Sequence, residues 1–251
     1  MFGFARRVAA FKDRADAGKQ LSEAVADLKS SNPVVLALPR GGVPIAYEVA
    51  KVLEAPLDLL FVRKIGCPGH EEYGIGAVVD SGKGHEPTLL MNEEAVQMVR
   101  PPKEYVQVEM QRQIKEIDRQ RTTYLRGREH IPLTGRTVIV CDDGIATGGT
   151  AKVALQALKK LNVARAVLAV PVGPQDSVGM WVWVGWMCVE GLGADSVCIP
   201  DEIRAEGNEV RCLRFPPNFQ AVGLHYESFP QTTDQEVIRC LDESERWQLR
   251  N

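Results

Sequence analysis

Short runs of apolar residues alternate along the chain with segments in which apolar residues return every three or four positions. The runs are typical of buried strands in a parallel sheet, and the second spacing is typical of helices packed on that sheet. The predicted strands lie at residues 34–38, 57–62, 77–79, 89–91, 138–141, 166–172 and 209–213. The predicted helices lie at residues 4–30, 44–53, 93–99, 103–126, 152–161 and 233–241. This alternation predicts an α/β fold with a Rossmann-like parallel sheet flanked by helices.

Residues 138–151 join a predicted strand to a predicted helix through two carboxylates and a loop of small and hydroxylated residues. Such a loop suits an anion, because unpaired backbone N–H groups and the positive end of the helix point the same way. A phosphate would repel Asp142 and Asp143, so these carboxylates suit hydroxyl groups or a metal-bound diol beside it. The combination indicates a ribose 5-phosphate. The predicted loop residues are Gly144, Ile145, Ala146, Thr147, Gly148, Gly149 and Thr150.

A second strand, glycine loop and helix stand upstream, where Pro39-Arg40-Gly41-Gly42 follows the strand at 34–38. Two such units place two anion-binding helix starts at the carboxyl ends of parallel strands, where open α/β sheets bind ligands. The implied ligand has phosphate groups at opposite ends of a sugar.

Other phosphate loops fit the stretch less well. A Walker loop needs a lysine after its second glycine, but Thr150 and Ala151 follow Gly149 here. A dinucleotide loop needs G-x-G-x-x-G, which this stretch lacks.

The apolar strand, acidic pair and Thr-Gly-Gly-Thr loop resemble the phosphoribosyl-pyrophosphate signature of the type I phosphoribosyltransferases. The resemblance implies that fold with a small C-terminal hood, and it implies Mg²⁺ bound together with phosphoribosyl pyrophosphate. It implies that Arg40, Gly41 and Gly42 bind pyrophosphate and that Asp142 and Asp143 hold the ribose hydroxyls. Mg²⁺ is expected to bind through the substrate, with the acidic pair as the only candidate protein ligands. The expected catalytic residues are Arg40, Lys64, Asp142 and Asp143.

The family resemblance extends to a lid, a hood and a substrate preference. Residues 63–76 are rich in glycine and charge and are expected to form a mobile lid, with Arg63 and Lys64 at its root. Ala146 stands where enzymes acting on 6-oxopurines carry a carboxylate, which disfavours hypoxanthine and guanine as acceptors. The candidate hood residues are Phe219, His225, Tyr226 and Phe229, although packing within the hood explains each of them more simply.

We divide the chain into a phosphoribosyltransferase core at residues 1–172 and a C-terminal insertion and hood at 173–251, packed on the core. The run at 178–189, rich in tryptophan, is too short to span a bilayer. It is expected to be core or a face covered by a second subunit, and we favour a homo-oligomer such as a dimer.

Composition narrows the function classes. The net charge of the 251 residues is −3, so bulk electrostatics favour neither nucleic acid nor an anionic membrane as a partner. The six cysteines are scattered without a C-x-x-C pair, which fits reduced thiols in a cytoplasm. Acidic residues interleave with the basic ones of the helix at 103–126, which favours an ion-paired solvated face. Small-molecule substrates are therefore the expected partners.

Three functions remain open from the sequence. The first is a phosphoribosyltransferase that releases pyrophosphate on transfer to an unidentified base or other nucleophile. The second is a catalytically silent regulator that senses phosphoribosyl pyrophosphate or a nucleotide. The third is another sugar-phosphate enzyme or binding protein with a convergent loop.

Overall fold

A computed structural model describes residues 9–80, 87–146, 148–174 and 209–248 of the chain. Thr147 and the tryptophan-rich run at 178–189 lie outside these described residues. Within them, no helix has the length and apolar character needed to cross a membrane.

Two sheets and six α-helices make up the described part of the chain. A parallel sheet has the strand order β2-β1-β6-β7-β8, and an antiparallel sheet has the order β3-β4-β5. The strands are β1 Val34–Ala37, β2 Leu57–Leu59, β3 Phe61–Cys67, β4 His70–Asp80, β5 Thr88–Met91, β6 Thr137–Cys141, β7 Arg165–Val172 and β8 Glu209–Arg214. The helices are α1 Arg14–Ala24, α2 Gly42–Leu53, α3 Glu93–Val99, α4 Lys103–Leu125, α5 Gly149–Lys160 and α6 Asp234–Gln248.

The central strands of the parallel sheet are buried on both faces, as their continuous apolar runs predict, whereas the edge strand β8 is half-buried. Successive strand residues point to opposite faces, so Val35 and Ile139 pack in one hydrophobic cluster with residues of α1, α2 and α6. Val34 and Val138 pack in the other cluster with residues of α5. The predicted α/β fold is confirmed.

The predicted strand at 57–62 is wrong as a single element. β2 ends at Leu59 in the parallel sheet, and β3 begins at Phe61 in the antiparallel sheet. Leu60 between them is buried. The sequence pattern does not show where the chain passes from one sheet to the other, because residues on both sides of Leu60 are buried and apolar.

The loop predicted at 63–76 is instead a β-hairpin of β3 and β4. Its tight turn includes Gly69, whose φ of 77° lies in the left-handed region that favours glycine. Ile65 on one strand and Ile75 on the other are both buried. Those two anchors hold the hairpin on the core, although glycine and charged residues dominate the segment.

The predicted helix at 4–30 is wrong for residues 9–13 and 25, which precede and follow α1 and are not helical, while residues 4–8 lie outside the described residues. Asp13 caps α1 by accepting a hydrogen bond from the Asp16 backbone N–H, and a 3₁₀ helix at Ala26–Ser31 follows α1. Before α1, the chain pairs with the C-terminal segment, where Phe11 bridges Tyr226. The segment before α1 therefore lies beside Tyr226, whose hydroxyl donates to the carbonyl of Asp143 just after β6.

The described C-terminal residues pack on the rest of the sheet. β8 pairs with β7 in parallel, and α6 contacts α2. The division of the chain at residue 172 stays a prediction.

Candidate active site

The two glycine loops leave neighbouring strands and touch each other. β1 and β6 are hydrogen-bonded in parallel with Ala37 opposite Cys141, so both loops emerge at one edge of the sheet. A Cβ atom on Gly41 would lie 2.1 Å from Asp143 Oδ2, and one on Gly42 would lie 2.5 Å from the Cys141 carbonyl oxygen. Any side chain at either position would separate the loops.

The acidic pair of the signature occupies this contact. Asp142 Oδ1 accepts a hydrogen bond of 2.8 Å from the Asp143 backbone N–H. Burial raises the pKa of Asp142 well above its ordinary value, and the charge of Asp143 raises it further. Burial also raises the pKa of Asp143, while Arg14 opposes that shift. The pair is therefore suited to a partner that donates hydrogen bonds or positive charge.

The signature loop, which follows Asp143 at residues 144–148, leads directly into α5. The helix begins at Gly149, three residues before its predicted start, so Gly149 and Thr150 belong to its first turn. Gly148 is the residue that precedes the helix, with φ of 75°, and no side chain caps it. The backbone N–H groups of the first turn, which includes Thr150, therefore need an acceptor from elsewhere. Ile145 is buried, and its N–H donates to the Val172 carbonyl at 2.9 Å. Ala146 is exposed in the loop.

A cleft of about 400 Å³ opens beside the two loops. Arginine side chains from four separate elements of the chain line it, together with two carboxylates. This composition favours an anionic ligand. The lining residues are Arg14, Pro39, Arg40, Gly41, Arg63, Glu116, Arg119, Gln120, Asp143, Gln231 and Thr232.

Three of these arginines pair with carboxylates, and one of the three pairs is Arg14 with Asp143. Arg40 Nη1 lies 3.2 Å from Asp234 Oδ1, and Tyr124 donates its hydroxyl to the same oxygen at 2.7 Å. Burial raises the pKa of Tyr124 to about 12, with the Asp234 hydrogen bond as the next cause, so the hydroxyl stays a donor. Arg119 pairs with Glu116 on its own helix at 2.8 Å.

Arg63 is oriented by a buried amide. Its Nε donates to Gln113 Oε1 at 3.1 Å, and Gln113 Nε2 donates to Glu109 Oε1 at 2.6 Å. Gln113 and Glu109 are both buried on α4. These hydrogen bonds fix Arg63 at the cleft through its Nε. No hydrogen bond joins its two terminal nitrogens to another described residue, so both can face a ligand.

Lys64 lies next to Arg63 on β3 but is exposed and pairs with Ala77. It does not belong to the described lining of the cleft. Adjacent residues of a strand point to opposite faces, so Arg63 brings its charge to the cleft from this strand. The catalytic role of Lys64 stays a prediction.

The hood residues named from the sequence pack largely against one another. The rings of Phe219 and His225 stack with centroids 5.4 Å apart, and those of Tyr226 and Phe229 lie 4.8 Å apart. Tyr226 also donates its hydroxyl to the Asp143 carbonyl at 2.6 Å. Internal packing therefore explains these residues, while Tyr226 additionally ties the hood to the signature loop.

Sequence reasoning missed two arginines of the cleft. Arg14 lies far from both loops along the chain, and Arg119 belongs to the predicted solvated face of α4. The ion pairs predicted for that face are present, such as Arg119 with Glu116. However, this pair also lines the cleft, which only the packing of α4 on β3 reveals.

The acidic pair fits Mg²⁺ better as part of a substrate complex than alone. No group of three or more His, Cys, Asp or Glu side chains able to hold a metal occurs in the described part of the chain. Mg²⁺ in proteins is often bound by one or two carboxylates together with substrate phosphates. Asp142 and Asp143 supply oxygen ligands of that kind.

Comparisons with known proteins identify the family of the chain. The family model of the phosphoribosyl transferase domain matches residues 8–192. Two curated relatives, from Mycobacterium tuberculosis strains CDC 1551 and H37Rv, both bear the name "Putative phosphoribosyl transferase" and are 40% identical over 236 residues. The match covers 94% of the chain and 47% of each relative, so the chain spans about half of their length.

This chain is also similar to a solved structure over nearly the whole length of both chains. The crystal structure of TT1426 from Thermus thermophilus is 34% identical, with a TM-score of 0.70, and the match covers 93% of this chain and 98% of that one. The parallel sheet, the two loops and these matches lead to one conclusion. The chain belongs to the phosphoribosyl transferase family and has the type I fold.

Proposed function

We propose that the protein is a phosphoribosyltransferase that uses Mg²⁺-phosphoribosyl pyrophosphate as its donor. The reaction displaces pyrophosphate from C1 of the ribose by a base or another nucleophile. The contact between the two loops supports this proposal most directly. Gly41 leaves no room for a side chain beside Asp143, so a pyrophosphate site and a ribose site would adjoin.

The signature loop would hold the sugar end of the donor. Backbone N–H groups from Gly144 to Thr150 and the start of α5 would bind the 5-phosphate. Asp142 and Asp143 would accept hydrogen bonds from the 2- and 3-hydroxyls, and those bonds would favour the charged carboxylates that burial disfavours.

The part of the cleft lined by Arg40, Arg63 and Arg119 would hold the leaving group, and the part lined by Arg14 and Asp143 would adjoin the ribose. Arg40 and the N–H groups of Gly41 and Gly42 would bind pyrophosphate, and Arg63 and Arg119 would add positive charge. The transition state resembles an oxocarbenium ion, and negative charge builds on the departing pyrophosphate. Fixed donors aimed at that charge lower the barrier, and oriented arginines are suited to this task because they need little reorganisation.

When bound, Mg²⁺ would neutralise part of the pyrophosphate charge. Asp142 and Asp143 are the described residues that would hold it. The β3–β4 hairpin would cover the reacting carbon and exclude water, which otherwise hydrolyses the donor.

The acceptor is a small molecule whose identity is open. The exposed Ala146 offers no carboxylate to a purine ring, so hypoxanthine and guanine are disfavoured. A homo-oligomer in the cytoplasm stays our expectation for the protein.

Pyrophosphate release tests the proposal. The protein is incubated with phosphoribosyl pyrophosphate, Mg²⁺ and a panel of nitrogen bases, and released pyrophosphate is measured with a coupled assay. We expect release that depends on one acceptor and is lost in Asp142→Asn/Asp143→Asn. If the donor binds but no acceptor gives release, the protein is instead a silent sensor of the donor.

A further inference from the structure

Arg14 reaches the acidic pair from outside both loops. It is the first residue of α1, just after a segment that pairs with the C-terminal hood. The backbone N–H groups of Glu227 and Ser228 donate to the carbonyls of Phe11 and Lys12 at 2.8 and 2.9 Å. This pairing of the N-terminal segment with the hood places Arg14 beside the signature loop.

Every nitrogen of the Arg14 guanidinium has an acceptor. Nε and Nη2 lie 2.9 and 2.8 Å from Asp143 Oδ2, and Nη1 donates to the Pro230 carbonyl at 2.6 Å. The guanidinium carbon lies 3.7 Å from the centroid of the Phe229 ring, a cation–π arrangement. The Arg14 side chain is only 10% exposed, so this geometry is largely enclosed by protein.

Asp143 is held from three sides. Arg14 holds its Oδ2, Tyr226 holds its backbone carbonyl, and Gly41 packs directly against the carboxylate. Nε and Nη2 of Arg14 both bind Oδ2. Among the described residues, no side chain donates a hydrogen bond to Oδ1. The arrangement presents Oδ1 to a ligand in one fixed orientation.

We propose that Arg14 is a positioning residue for sugar binding, because it fixes the Asp143 carboxylate and joins the hood to the signature loop. This inference rests on the proposed function, since it assigns the oriented carboxylate to the ribose hydroxyls. Arg14 acts through Asp143 and belongs to the ribose side of the site. Its loss therefore weakens binding of the sugar more than binding of pyrophosphate.

A double-mutant cycle tests this inference. Ribose 5-phosphate and inorganic pyrophosphate are titrated calorimetrically, each with Mg²⁺, into wild type, Arg14→Gln, Asp143→Asn and the double variant. We expect Arg14→Gln to weaken ribose 5-phosphate binding about tenfold in wild type and less than about twofold in the Asp143→Asn background. Pyrophosphate affinity should stay within about twofold.

Two further variants separate positioning from folding. Arg14→Lys keeps one charged donor and should retain more ribose 5-phosphate affinity than Arg14→Gln. Lys19→Gln removes the same charge from an exposed position on α1 and should bind both ligands as wild type does.

The alternatives give different results. If Arg14→Gln binds ribose 5-phosphate as well as wild type or better, Arg14 does not position the sugar site. An equal loss in the Asp143→Asn background, or a parallel loss of pyrophosphate affinity, means a structural role only. In those cases the proposed function stands. If wild type binds neither ligand, the proposed function itself is wrong, and the inference falls with it.

Discussion

Replacing Gly41 with alanine probes the contact on which the site depends. The new Cβ would lie 2.1 Å from Asp143 Oδ2 and 2.7 Å from its Cγ. Carbon and oxygen atoms in ordinary contact lie well beyond 3 Å, so the loop and the carboxylate must separate by about 1 Å. The carboxylate cannot swing away without breaking its bonds to Arg14.

The cost follows from that forced separation. Overpacking of a close-packed site costs about 1–3 kcal/mol of unfolding free energy. A displacement of about 1 Å between binding groups reduces catalysis about 100-fold. We therefore expect Gly41→Ala to lower the unfolding free energy by about 2 kcal/mol and to reduce kcat/KM for the donor by about two orders of magnitude.

Gly173→Ala is the matched control. Gly173 is buried and follows β7 beside the signature loop, but its Cβ would lie 3.5 Å from Ile145 Cβ, an ordinary contact. This variant should stay within about 1 kcal/mol of wild type. Urea unfolding and pyrophosphate release are measured on both variants. If Gly41→Ala behaves like Gly173→Ala in both assays, the two loops do not touch as described, and the reasoning fails.

Three further outcomes follow from the structure. Arg63→Gln should weaken calorimetric binding of pyrophosphate about tenfold, whereas Lys64→Gln should change it much less; the opposite order would make Lys64 the main pyrophosphate ligand of this strand. His130→Gln should lower the unfolding free energy by about 2 kcal/mol at pH 6 and by less at pH 8.5. Burial lowers the pKa of His130, but the hydrogen bond to Asp58 outweighs burial, so the pKa is raised. A histidine whose pKa is raised by folding adds stability at pH values below its ordinary pKa, and this stability is lost as the pH rises through the pKa in the folded protein. An equal difference in unfolding free energy at both pH values, measured with urea, would contradict this expectation. Because Ala146 supplies no carboxylate, hypoxanthine and guanine should give no pyrophosphate release, and rapid release with either would refute that preference.

The parts of the fold that could be predicted are those encoded locally. Residues 138–151 contain the strand end, the acidic pair, the loop and the helix start in one continuous stretch. Residues 39–42 likewise form the other loop from consecutive residues. Because parallel strands bring their carboxyl ends to one edge, the sequence also predicted that these loops would lie close together. The structure adds the contact between Gly41 and Asp143.

The missed features depend on distant parts of the chain. Arg14 meets Asp143 only because the N-terminal segment pairs with residues near Tyr226, and no local pattern indicates that pairing. The sequence of residues 63–76 predicts a loop, although the structure has a hairpin there, because glycine and charged residues outnumber the two apolar anchors Ile65 and Ile75. Burial of these two anchors depends on packing against the core, which a local window does not show.

Donor binding tests the central claim most directly. Phosphoribosyl pyrophosphate with Mg²⁺ is titrated calorimetrically into wild type and into Asp142→Asn/Asp143→Asn. We expect wild type to bind with one site per chain and the variant to lose about 100-fold or more in affinity, since each substitution removes a charged acceptor and puts an NH₂ donor in place of one carboxylate oxygen. Absence of binding to wild type, or equal binding by the variant, would contradict the assignment of the ribose to the acidic pair.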